Sequence, residues 1–209
     1  MAASDWSRRV VHDLRNPAST LRTAAYLLRR GLNDPNEEQR LLEVLERQST
    51  QLLAMLDELA HAFWAERGDP LAREEAVDLV ELSPPADTGA AAFEARSLLP
   101  VRGDPARLAQ LLRLLCALRL GEETQPAPLV AELAGDRVRL HRRLRALPEL
   151  CDAPQTLLQR ALPQPLGEGG LGLQLPIAAA IAAAHGGELR IERAGDDALA
   201  VTVELPARR

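Results

Sequence analysis

The chain has 209 residues, a formal net charge of -5, 46% hydrophobic residues and 2% aromatic ones, enough for one or two domains with cores of Leu, Ala, Val and Ile. Every basic residue is Arg and the whole is mildly acidic, which argues against nucleic acid as a partner and leaves no Lys to neutralise a nucleotide phosphate. No apolar run reaches membrane-spanning length, "MAASDWSRRVV" lacks a signal-peptide stretch, and Cys116 and Cys151 have no metal-ligand spacing; a cytoplasmic chain with reduced core thiols, no membrane contact and no metal site is expected.

From about Ser4 to Leu32, the residues Val11, Leu14, Ala18, Leu21, Ala25 and Leu28 alternate spacings of three and four, the seam of a coiled-coil-like helix. "GLNDPN" breaks it. A second helix from about Asn36 to Glu66 repeats the pattern at Leu42, Leu45, Ser49, Leu52, Leu56, Leu59 and Phe63. The short connection predicts an antiparallel hairpin. A lone hairpin leaves part of each stripe uncovered, so a homodimer forming a four-helix bundle is expected. Tyr26, Phe63 and Trp64 are expected as core or bundle-end packing.

"RGDPLAREE", from Arg67, reads as a linker. Beyond it the pattern becomes mixed. "AVDLVEL" and "PLVAELAGDRVRLHRRL" read as strands, the latter a hairpin turning at Gly135 and Asp136. "DPARLAQLLRLLCALRL" reads as a helix with Asp104 as N-cap and Pro105 at its first position. "LPIAAAIAAAH" is a second helix, closed by Gly186 and Gly187, and "GELRIERAGDDALAVTVELP" a closing hairpin. The fold expected is α+β: a helical hairpin over 1–67, then an α/β sandwich over 68–209.

Within the first helix, His12 shares its face with Arg8, Arg9, Arg15, Asn16 and Ser19, off the apolar seam. A neutral imidazole ringed by guanidinium and amide donors suits the acceptance of a phosphoryl group. Asp13 is placed to accept from one ring nitrogen and leave the other free. Pro17 lacks an N–H, which frees the carbonyl of Asp13 and bends the helix beyond His12. His61, His141 and His185 share no metal-binding spacing, and His185 before two glycines reads as a helix C-cap.

"HDLRNP" resembles the phospho-acceptor box of bacterial sensor histidine kinases, and all six positions match, on the first of two antiparallel helices. The resemblance implies that His12 accepts the phosphoryl group, that Asp13 assists as base, and that Asn16 positions water for dephosphorylation of a partner. It extends to the second domain, which is similar to the histidine-kinase ATPase type. "GDPARLAQLL" looks like the opening of the N-box helix, and "GEGGLGLQLPIAAAIAAAHGGELRIE" like the second glycine box, its helix and the next strand. Gly167, Gly169, Gly170 and Gly172 are thereby vestigial nucleotide-binding candidates, since Gly-rich turns before a helix cradle phosphate.

The departures matter more. The two N-box asparagines fall on Leu114 and Leu118, and leucine offers no oxygen to Mg²⁺. In place of the Asp-x-Gly-x-Gly box the chain runs "RALPELCDAPQTLLQRALPQP", without glycine and with Asp152 as the nearest carboxylate. The nucleotide lid is shortened to a few residues around "LPQPLGE". The expected function is a phosphorelay histidine phosphotransferase or pseudokinase that binds no cofactor itself, with response-regulator receiver domains, and a sensor kinase, as partners. Two alternatives stand beside it: an active kinase core that phosphorylates His12 from ATP and Mg²⁺, and a non-catalytic scaffold binding a receiver or a kinase.

Overall fold

Helix α1 runs from Ala3 to Arg30 and α2 from Pro35 to Arg67. Their junction is cut by local chemistry. Arg29 and Arg30 complement the negative end of α1, Gly31 takes a left-handed φ of 78°, and Asp34 Oδ1 accepts the Asn36 N–H at 2.8 Å as Pro35 opens α2. The computed structural model describes residues 3–31, 34–85, 90–162 and 170–208, with side chains from residue 10 onward. It divides into one unit of Met1–His61 with Glu168–Leu171 and another of Ala62–Gly167 with Gly172–Arg209.

In the helical unit burial is offset from the predicted stripe. Val10, Pro17, Ala24 and Met55, all outside it, are buried, and of its own residues Leu14, Leu21, Leu28, Leu45, Leu52 and Leu59 are half-buried. By contrast Val11, Ala18, Ala25, Leu42, Ser49, Leu53 and Leu56 are exposed. A three-four alternation names both edges of an apolar face, and a two-helix hairpin covers only the edge turned toward the other helix. Tyr26 and Phe63, expected as packed aromatics, are exposed at 57% and 44%. Trp64 is buried, and the Arg107 guanidinium stacks 4.0 Å from its ring.

The second unit has a five-stranded sheet in the order β2-β4-β5-β7-β6, with β2 (Phe93–Ala95) parallel to β4 (Leu129–Ala134) and the other pairs antiparallel. β5 is Arg137–Arg145, β6 Glu188–Gly195 and β7 Ala198–Pro206. A separate ribbon pairs β1 (Glu75–Asp78) with β3 (Pro100–Gly103). "AVDLVEL" is therefore strand only over its first half: Asp78 Oδ1 accepts the N–H groups of Val80 and Leu99 at 3.0 Å and turns the chain. One sheet face is alternately buried, with Val138, Leu140 and Leu144 of β5 beside Leu199, Val201, Val203 and Leu205 of β7. Against it lie α3 (Pro105–Ala117), the short α4 (Pro148–Cys151), a 3-10 turn at Pro154–Leu158, and α5 (Gln174–Ala184).

The predicted cap of α3 is present: Asp104 Oδ1 accepts from the N–H groups of Ala106 and Arg107 at 2.9 and 3.3 Å. The helix ends at Ala117, before the predicted Leu120, because Leu118 turns to extended ψ. α5 closes at His185, with Gly186 at φ 69° and a Gly187 whose Cβ would lie 2.3 Å from the Glu204 carbonyl oxygen. His185 is more than a cap. Its Nδ1–H donates to the Ile181 carbonyl at 2.7 Å, and its Nε2 accepts the Asp104 N–H at 3.1 Å. One buried ring thus joins the end of α5 to the start of α3. His185→Ala is expected to lower unfolding free energy by about 2–4 kcal/mol, because the buried Asp104 N–H loses its partner, the Ile181 carbonyl loses its side-chain donor, and a cavity opens. Chemical denaturation followed by circular dichroism measures it, and an unchanged midpoint would refute the assignment. Both cysteines are free and buried, and burial pushes the Cys116 thiol up, so native alkylation is expected to be slow until the unit unfolds.

Candidate functional site

Two turns separate the start of the described side chains from Pro17, and the sequence there sets which groups face water. Val10 is buried and Leu14 half-buried, whereas His12 points outward with its side chain 73% exposed. Its Nδ1 lies 3.2 Å from Asp13 Oδ1. A carboxylate only accepts, so Nδ1 carries the proton and the Nε2 lone pair is directed to solvent. The contact across adjacent helical positions, which the 100° step makes awkward, is therefore made. Asp13 keeps only 15% of its side-chain surface exposed.

Around the imidazole, Arg15 and Asn16 are exposed and Ser19 is half-buried. Arg8 and Arg9 lie on α1, but their side chains fall outside the described residues. Pro17 is buried inside the helix, and the hydroxyls of Thr20 and Thr23 donate to the carbonyls of Asn16 and Ser19 at 3.1 and 3.0 Å. These i–4 back-bonds relax the helix over the turn that follows the proline.

The second set of candidates lies elsewhere. Leu114 is half-buried and Leu118 is buried at the end of α3. After β5, the stretch that replaces the glycine-rich box forms α4 and the 3-10 turn, burying Leu150, Cys151 and Leu157, whereas Asp152 is exposed. Gly167 and Gly169, with most of "LPQPLGE", lie outside the described residues. The flanks of that stretch are joined: the Leu162 N–H donates to the Gly172 carbonyl at 2.8 Å. Gly172 has φ 74°, and a Cβ there would stand 2.7 Å from the Leu162 carbonyl oxygen, so this glycine serves close backbone approach. Within the helical unit, the Leu171 N–H donates to the Glu58 carboxylate at 2.5 Å, and Gly170 is half-buried.

One functional-looking group escaped the sequence reading. Arg142 sits at an inward position of β5 between Leu140 and Leu144, with its side chain 1% exposed. A cleft of about 1040 Å³ beyond the loop after α3 is lined by Arg119, Glu122, Arg143, Arg145 and Asp197 among others; none of the predicted site residues lines it. Among the described residues no helix is long and apolar enough to cross a membrane, and no cluster of His, Cys, Asp and Glu is arranged to hold a metal.

Residues 2–68 match the family described as His Kinase A (phospho-acceptor) domain. A comparison with curated proteins finds no match. Among solved structures, the histidine kinase AdeS of Acinetobacter baumannii is 18% identical with a TM-score of 0.65, over 95% of this chain and 98% of that one. The histidine kinase ThkA, in complex with the response regulator protein TrrA, is 18% identical with a TM-score of 0.65, over 98% of this chain and 62% of that one. Full-length ShkA in complex with AMPPNP is 18% identical with a TM-score of 0.57, over 99% of this chain and 46% of that one, so this chain spans less than half of ShkA. At these identities the likeness to solved structures is one of fold. Residues 2–68 thus match the His Kinase A (phospho-acceptor) domain, and the mixed α/β unit that follows shares its fold with solved histidine kinase structures.

Proposed function

We propose that this chain is a phosphorelay histidine phosphotransferase, a pseudokinase that exchanges a phosphoryl group between His12 and the aspartates of response-regulator receivers. One contrast carries the reading: His12 is exposed with its Nδ1–H directed to Asp13, whereas the positions where a metal-nucleotide would need oxygen ligands are Leu114 and Leu118. Mg²⁺ takes oxygen ligands. The residues at that end of α3 do not fit it, and the stretch after β5 offers an adenine amino group only the exposed Asp152, with no glycine beside it. The Leu171 N–H, in the glycine turn, is already taken by Glu58. ATP and Mg²⁺ are accordingly not cofactors of this chain.

In the transfer, the Nε2 lone pair attacks the phosphorus of a receiver's aspartyl phosphate. The N–P bond forms as the acyl O–P bond breaks, and the carboxylate leaves on the receiver. Asp13 holds the Nδ1 proton throughout and stabilises the positive charge on the phosphorylated ring. Arg15, with Arg8 and Arg9, contacts the phosphoryl oxygens or the incoming receiver, and Asn16 orients water for hydrolysis of the receiver's aspartyl phosphate, which releases inorganic phosphate. The exposed heptad stripe of Val11, Ala18, Ala25, Leu42 and Leu56 supports a homodimer in which these edges meet. An active kinase would bind ATP, and a passive scaffold would bind its partner equally well as His12→Ala. Calorimetric titration with Mg²⁺–ATP is expected to give no binding heat; saturable binding would transfer the assignment to an active kinase core.

A further inference from the structure

The inward side chains of β5 run Val138, Leu140, Arg142, Leu144, so a guanidinium interrupts an otherwise apolar row in the middle of the sheet. Across the row its neighbour is Val201 of β7. A buried cation persists only where acceptors surround it, and here they come from one place. Nη1 lies 2.6, 3.0 and 2.9 Å from the carbonyl oxygens of Leu115, Cys116 and Leu118, the open end of α3. Nε donates to the Ala127 carbonyl at 3.0 Å, and Nη2 meets Glu123 Oε2 at 3.4 Å. The other carboxylate oxygen of Glu123 accepts the Arg145 N–H at 2.5 Å. Glu123 is itself 6% exposed.

The carbonyl fan at a helix C-terminus, with its partial negative charge, is the place on α3 where a bound cation would be stabilised. Its oxygens are already engaged. We propose that Arg142 is an internal cation which, paired with Glu123, occupies the carbonyl fan at the end of α3 and holds the Leu118–Ala127 segment in place without any bound metal or nucleotide. The residue spans acceptors at the end of α3 and along the segment that follows it because a guanidinium presents donors in a planar fork, which neither Lys nor a hydrated metal ion reproduces. The consequence is a unit whose order is built into the chain. Burial lowers the pKa of Arg142 from its ordinary value, and the neighbouring Glu123 carboxylate opposes that shift in part.

The proposal stands independently of the phosphotransferase reading. Hydrogen exchange on the full chain, without ligand, tests it at the amides of the last turn of α3 and of Arg145. Arg142→Ala is expected to exchange there about 100-fold faster than wild type, as charge-assisted bonds are lost, with β6 and β7 less affected. Millimolar ethylguanidinium is expected to restore at least about tenfold of that protection, and tetramethylammonium none, since only the former supplies the fork. Should Arg142→Ala not fold alone, recovery of its fold by ethylguanidinium is the same result. Glu123→Gln, which keeps the shape, is expected to speed Arg145 exchange about tenfold. Wild-type exchange in both variants, or equal rescue by both cations, would overturn the proposal. Wild-type binding of Mg²⁺–ATP would bear only on the function proposed above.

Discussion

His12→Ala is expected to abolish phosphohistidine formation altogether, and His12→Gln, which keeps bulk and polarity, to do the same. The imidazole is the nucleophile of the proposed transfer, and neither replacement supplies a nucleophilic nitrogen. Asp13→Asn separates attack from orientation. An amide can turn its oxygen to Nδ1–H, so the 3.2 Å contact survives, but the charge that balances the phosphorylated ring is gone. Transfer is expected to fall by about 10²–10⁴-fold, in the range of a lost acid-base partner. Quenched-flow labelling from a phosphorylated receiver gives both rates. An Asp13→Asn protein as fast as wild type would remove Asp13 from the mechanism, because helical packing alone gives that carboxylate no kinetic role.

The second large effect concerns assembly. Leu53 and Leu56, 63% and 45% exposed, lie on the stripe that the hairpin leaves uncovered, and a symmetric dimer buries each of them twice. Replacing both by Glu removes four leucines from the interface, each worth about 1.5–3 kcal/mol when buried, and adds like charges. The dimer dissociation constant is expected to rise by at least about 10⁴-fold. Equilibrium sedimentation reads this directly, and circular dichroism checks that α1 and α2 remain helical. A double variant that stays dimeric would place the interface on another face of the hairpin.

Much of this architecture was legible in the sequence because it rests on local rules. The two helices announce themselves by spacing, α3 by Asp104 and Pro105, the β4–β5 turn by Gly135, and α5 by the glycines after it. The exposure of His12 was expected from a seam drawn through Val11 and Leu14; the structure instead buries Val10 and exposes Val11, and the histidine stays wet all the same. What escaped depends on partners distant in the chain. The alternation of Val138, Leu140 and Leu144 does put Arg142 on the inward face of the strand, but nothing within "VRLHRRL" tells that it meets Glu123, nineteen residues earlier. The short strands β2 and β3 have too few residues to display an alternation. The division of the helical stripe into covered and open edges depends on the angle at which two helices meet, which spacing does not encode.

The source of the phosphoryl group on His12 is read directly by one labelling experiment. The wild-type chain is incubated either with Mg²⁺ and γ-labelled ATP alone or with a receiver carrying labelled aspartyl phosphate. The expected result is acid-labile, base-stable label on wild type from the receiver, none on His12→Ala, and none from ATP. Label appearing on His12 from ATP alone would contradict the account.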